Sequence, residues 1–200
     1  MGAKRGTEIP TIDVSLVTVS VTKDRVTTEI ALDTASQISV EPQVEETDAI
    51  KLIVKGVLKA QKPKSSTLTG NQIILTDNVF TPELVQILQG GEIYYWTSAE
   101  KTEKSTTPSE YGIAGYRPPV AGSTDKGSVF KLNAYSAQYD ASGVIVQYEK
   151  ITYPNCQGSP VAFSSEDDTF RAPEYTIMSA PNKGEAPYEI EYLDALPVVS

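Results

Sequence analysis

The sequence predicts a mainly β chain with one short α-helix. Three observations predict it: β-branched runs that alternate every second residue, turn chemistry between those runs, and one segment with full helix punctuation. That segment, 71–96, reads NQIILTDNVFTPELVQILQGGEIYYW and parses as strand, helix over 82–89, and strand. Thr81 stands where a side chain caps free backbone N–H groups. Pro82 at the first helical position loses no hydrogen bond, and Glu83 complements the helix dipole. Phe80 is placed to pack on Val85 as a hydrophobic staple. Leu84, Val85, Ile87 and Leu88 make one apolar stripe, and Gly90-Gly91 supply the positive φ that ends a helix. A helix of two turns is marginal alone in water, so this one must dock on a sheet.

The other elements follow in chain order. After a polar arm (1–12), one β domain is expected over 13–197. Val17, Val19 and Val21 alternate with Thr18 and Ser20 in a strand over 14–22. Val26, Thr28, Ile30 and Leu32 alternate in the next, and Lys23-Asp24 is the expected turn of a hairpin with one wet face. A strand at 38–44, an acidic turn Glu45-Glu46-Thr47-Asp48 and a long strand at 50–59 come next. In the long strand Ile50, Leu52, Val54 and Leu58 share one face, and Lys51, Lys55 and Lys59 the other, which reads as a solvated row, with salt bridging to a neighbouring subunit the main alternative. The Lys, Pro and Ser content of 61–69 predicts a loop.

The segment 97–128 has three prolines, four glycines and no alternation, so it reads as a long loop. Tyr111, Ile113, Tyr116, Pro118, Pro119 and Val120 form an apolar cluster within it that a solvated linker has no use for, and they are the candidates for packing on a neighbouring subunit. Alternation returns at 129–139 and 144–153, joined by Asp140-Ala141-Ser142-Gly143 as a second hairpin. Strands at 170–178 and 188–193 complete the chain.

Composition narrows the function classes. The chain of 200 residues has 17 basic and 26 acidic side chains, a net charge of −9 and no histidine. An acidic chain repels phosphate, which argues against a general nucleic-acid-binding surface. Without histidine the commonest general base and metal ligand is missing. Cys156, the single cysteine, has no thiol to pair with and no imidazole to activate it. Gly90-Gly91 follows a helix, so it is a terminator and not a phosphate loop. Glu45-Glu46 with Asp48, and Glu166-Asp167-Asp168, lack the ligand spacing of an EF-hand and read as solvated turns. No catalytic, cofactor-binding or metal-binding residues are expected, and the chain reads as a non-enzyme. The first residues, MGAKRGTEIP, have no apolar stretch and nothing approaches a membrane span, so synthesis and retention in a cytoplasm are expected.

Many strands leave open edges, and an open edge invites another chain unless it is blocked or used. The tyrosines of the middle and second half suit half-buried sheets and interfaces alike. The stretches GNQIILTDNVFTPELVQILQGG, FKLNAYSAQYDASGVIVQYEKITYP and DDTFRAPEYTIMSAPNKGEAPYEIEYLDALP, with the strands before them, resemble the tail tube (major tail) proteins of tailed bacteriophages over about 36–197.

The resemblance implies a β-sandwich or barrel-like subunit with one flanking helix. Six copies would join their sheets into a ring, and stacked rings would make a hollow virion tail tube that conducts DNA into the host. It implies self-association, with tape-measure, tail-terminator and baseplate proteins as further partners, no membrane, and manufacture in a host bacterial cytoplasm. An inner tube of a contractile injection particle and a β-sandwich adhesin or decoration module are the alternatives. If DNA passes through, carboxylates should dominate the lumen, and the candidates on or beside strands are Glu29, Asp33, Glu41, Glu45, Glu149 and Glu166.

Overall fold

A computed structural model describes residues 11–23, 25–98, 103–108, 111–124, 126–164, 167–168 and 171–198. It is mainly β with one short helix. In chain order the elements are β1 (Thr11–Lys23), β2 (Val26–Leu32), β3 (Ala35–Thr47), β4 (Ile50–Val54), β5 (Val57–Lys62), β6 (Ser65–Asp77) and α1 (Pro82–Gln89). They continue with β7 (Glu92–Trp96), β8 (Lys104–Ser105), β9 (Ile113–Arg117), β10 (Phe130–Tyr139), β11 (Ile145–Gly158), β12 (Glu174–Ser179) and β13 (Glu189–Leu193).

The main sheet is antiparallel, in the order β2-β1-β10-β11-β12-β6-β3, with β13 also paired to β11. Two strands share β11 because it is long: Tyr148 to Thr152 pair with β13, and Cys156 to Gly158 pair with β12. Asn155, at φ 47°, separates the two pairings. The sheet thereby forms two limbs that face each other across one core. Val17, Val19, Leu32 and Leu132 come from the first limb, and Ile73, Leu75, Tyr175 and Ile177 from the second. The barrel does not close: β2 and β3 are the sheet's two edges, joined by the Asp33-Thr34 corner. That corner is tied down where Thr34 Oγ1 donates to Asp77 Oδ1 at 2.5 Å and Asn78 N–H donates to the Thr34 carbonyl.

Helix α1 fills the gap between the limbs with Leu84, Val85 and Leu88, all buried. Its terminator is as expected: Gly90 has φ 84° and its N–H donates to the Gln86 carbonyl at 2.9 Å. Its start is not. The Thr81 carbonyl accepts from Val85 N–H, but the Thr81 hydroxyl makes no capping bond. Phe80 does pack on the core that holds Val85, and its ring meets Phe163 edge-on with centroids 5.5 Å apart. Gly158 is the contact point for the helix, because a Cβ there would lie 2.5 Å from Leu88 Cβ.

Several sequence boundaries move. The first strand starts at Thr11, not 14, and the Ile12 to Leu16 irregularity with Asp13 at φ 64° absorbs the extra residues. The β1–β2 hairpin has the expected register, ending at Lys23↔Val26; Asp24 of its turn, Glu166 and Phe170 lie outside the described residues. The turn expected at 45–48 and the loop expected at 61–69 are largely strand, since β3 pairs with β6 from Ala35↔Asp77 out to Thr47↔Ser65. The long strand expected at 50–59 is a hairpin: Lys55 (φ 51°) and Gly56 (φ 79°) turn the chain and β4 pairs with β5. The expected loop at 97–128 contains β8 and β9, which flank β7 in a second small sheet. The β10–β11 hairpin is as expected, with Asp140 Oδ1 accepting from Ser142 N–H and Val144 N–H.

Candidate assembly surfaces

Strand β6 is flanked by β12 only from Asn71 to Thr76. Beyond Gly70 it has β3 alone, and past Thr47 and Ser65 the pair continues as β4 and β5. The outcome is a two-stranded arm. Register puts Ile50, Leu52, Val54, Val57, Ala60 and Lys62 on one of its faces and Lys51, Ile53, Leu58 and Gln61 on the other, with Lys59 in the irregularity between them. Leu58 therefore lies opposite the face expected from a single straight strand, and Lys55 sits at the turn. Both faces carry apolar side chains and both are open to solvent, with Ile50 at 67% and Ile53 at 60% exposure. An isolated two-stranded ribbon is marginal in water.

The arm is also basic. Residues 50–64 hold Lys51, Lys55, Lys59, Lys62 and Lys64 and no carboxylate. Lys64 pairs with Glu46 at the arm's root, and among the described residues no carboxylate lies within salt-bridge reach of the other four.

The face of the first limb turned away from the main core carries polar side chains beside the buried Leu16 and Tyr135. On it Asn133 Nδ2 donates to Thr18 Oγ1 at 3.0 Å and Thr152 Oγ1 donates to Asn133 Oδ1 at 3.0 Å. These lock β1, β10 and β11 in register and satisfy a buried amide. Further along the same face Ser20 donates to Glu29, and Lys150 Nζ donates to Glu191 Oε2 at 2.7 Å. That bond raises the lysine's pKa and lowers the carboxyl's. Strand β13 has a free outer edge: it pairs only with β11, and Ile190 and Tyr192 stand exposed on one side of it while Glu189 and Glu191 line the other.

Burial pushes the Cys156 thiol and the Tyr153 phenol up to about 12, so neither ionises near neutral pH. Cys156 is a core side chain without nucleophilic character.

The expected lumen residues do not gather on one surface of the subunit. Glu29 is on the polar face of β2, and Asp33 is exposed at the β2–β3 corner. Glu41 and Glu45 alternate outward on β3, opposite the core-facing Ile38 and Val40. Glu149 is half-buried beside Ser136 and Tyr192, on the opposite face from Lys150. Of the loop cluster, Tyr116 works within the chain: its hydroxyl donates to the Gly90 carbonyl at 2.6 Å, accepts from Gln89 Nε2, and its ring packs on the core. Ile113 is half-buried in β9 and Pro119 in the loop, while Tyr111, Pro118 and Val120 are exposed. The sequence reading offers the lysine row as a salt-bridging face but not the hairpin that carries it, nor the Glu189/Glu191 edge. Lys-Gly amid apolar alternation was the signal for the arm's turn, and the alternation in EIEYL was the signal for the edge.

No protein-family profile matches the chain, and no curated protein does. Solved structures do resemble it, among them the following two. One is a chain of the sheath-tube complex of PVC, an extracellular contractile injection system, in its extended state. It is 15% identical, with a TM-score of 0.38, over 94% of this chain and 93% of that one. The other is a chain of the anti-feeding prophage (AFP) baseplate, six-fold symmetrised: 10% identical, TM-score 0.36, over 94% of this chain and 97% of that one. Superpositions at this level decide nothing about what this chain does.

Proposed function

We propose that the chain is a non-enzymatic structural subunit that associates with copies of itself into rings, six to a ring, stacked as the hollow tube of a tailed phage particle. The observation that carries this reading is the arm, a ribbon with apolar side chains exposed on both faces, which no described residue of the chain buries. Open sheet edges at β2, β3 and β13 support it, since each offers backbone donors and acceptors to a neighbour. Head-to-tail contacts between unlike surfaces make rings when they close and filaments when they do not.

DNA is the proposed cargo. The net charge of −9 supports a wall that does not hold a polyanion, and Glu29, paired across from Ser20 on the face of β2 turned from the core, is a lumen candidate. Baseplate, tape-measure and terminator proteins are the proposed neighbours at the tube's ends, and the assembled particle is the proposed location. Negative-stain electron microscopy of the purified protein at rising concentration tests the reading: rings and tubes are expected, and a species that stays monomeric at every concentration overturns it.

A further inference from the structure

The arm's chemistry has a counterpart on the same molecule. Residues 185–194 carry Glu185, Glu189, Glu191 and Asp194 and no basic side chain, in a chain whose densest basic run is the arm. Within one copy the only ion pairs among the described residues are Lys64–Glu46 and Lys150–Glu191, so neither of the two segments neutralises the other. Both also end in open backbone: among the described residues β4 pairs only with β5, and β13 only with β11.

We propose that β4 of one copy adds to the free outer edge of β13 of a second copy, an interface that rests on the self-assembly reading above. The side-chain patterns match across such a junction. Ile50, Leu52 and Val54 alternate along β4 as Ile190 and Tyr192 do along β13, so one side of the extended sheet joins two exposed apolar rows. The other side sets Lys51 against Glu189 and Glu191, which stand two residues apart on one face. Backbone pairing supplies attachment and the alternate side chains supply the choice of partner, as in β-strand addition generally. Lys55, Lys59 and Lys62 add long-range attraction toward Glu185 and Asp194, which salt weakens because charges beyond about 10 Å are screened at 0.1 M.

The test uses the full-length chain and charge reversal on each side. Lys51→Glu with Lys59→Glu is one variant, and Glu189→Lys with Asp194→Lys is the other; Glu191 is left intact because it holds Lys150. Circular dichroism first establishes that both fold. Each variant alone should raise the critical concentration for assembly, read by light scattering at low salt, by about tenfold or more, through like-charge contact. Mixing the two variants should restore assembly. A photo-crosslinking residue in place of Leu52 should capture residues 188–193 of another copy. Assembly unchanged in both variants, or crosslinks to a different surface of this chain or to a different protein, overturns the proposed interface while leaving self-assembly standing. Failure of the unaltered protein to assemble at any concentration removes the tube reading and this interface together.

Discussion

Strand β6 shows two regimes along one length. From Gly70 to Asp77 it alternates between buried and half-buried, with Ile73 and Leu75 at 0% exposure between β12 and β3. From Ser65 to Thr69 every residue is exposed, and the ribbon it belongs to runs on into β4 and β5 with no residue buried. The body is stabilised by its own core. The arm has comparable apolar content and nothing to bury it on. Hydrophobic residues specify a fold only when the topology brings a second layer to them, so the body's stability resides in the chain and, on the proposed reading, the arm's resides in the assembly.

The largest expected effect separates the two regions outright. Replacing 50–62 by a short turn should abolish tubes in electron micrographs while leaving the thermal unfolding midpoint of the body nearly unchanged, because none of the removed residues is buried. Next comes the core: Leu75→Ala should cost about 2–5 kcal/mol in chemical denaturation, the usual range for a fully buried leucine. Asn133→Ala should cost about 1–3 kcal/mol by the same measurement, since it deprives Thr18 and Thr152 of their partner under cover. Leu52→Ser, at 55% exposure, should change monomer stability by less than about 0.5 kcal/mol and yet weaken assembly. An equal loss of stability at Leu75 and Leu52 would erase the distinction between body and arm.

The smallest effect is one of pH. Glu191 is held below its usual range by the hydrogen bond from Lys150, so its contribution is present above the usual carboxylate pKa and lost as pH falls through the lowered one. Lys150 is raised by the same bond, so its contribution is lost only as pH rises through a value above the usual lysine range. Protection factors of the β13 amides, with the intrinsic pH dependence of exchange divided out, should therefore be flat through neutrality and fall in acid, and Lys150→Met should remove that fall.

Much of the body was legible in the sequence because its strands obey local rules. The β1–β2 and β10–β11 hairpins carry alternation and turn residues that agree with their pairing, and α1 carries Pro82 and Gly90 at its ends. The arm was misread because Lys55-Gly56 interrupts an alternation that otherwise continues in step, so a hairpin looks like one strand. Within the expected loop 61–69, the Ser and Thr of 65–69 are ambiguous alone, and pairing with β3 decides them. Strands β8 and β9 are short enough that no period shows, and β9 exists because β7 offers it a partner. The expected lumen residues were chosen by charge and proximity to strands; which face each takes depends on register, and that placed Glu29 and Glu149 on opposite sides.

The most direct test of the central claim is hydrogen exchange at the amides of 50–62, measured in the monomer and again in assembled particles. The account predicts exchange near the rate of unstructured chain in the monomer, with protection rising by orders of magnitude on assembly, while β10 amides stay protected in both. Arm amides as protected in the monomer as those of β10, or unprotected in the assembled particle, would contradict it.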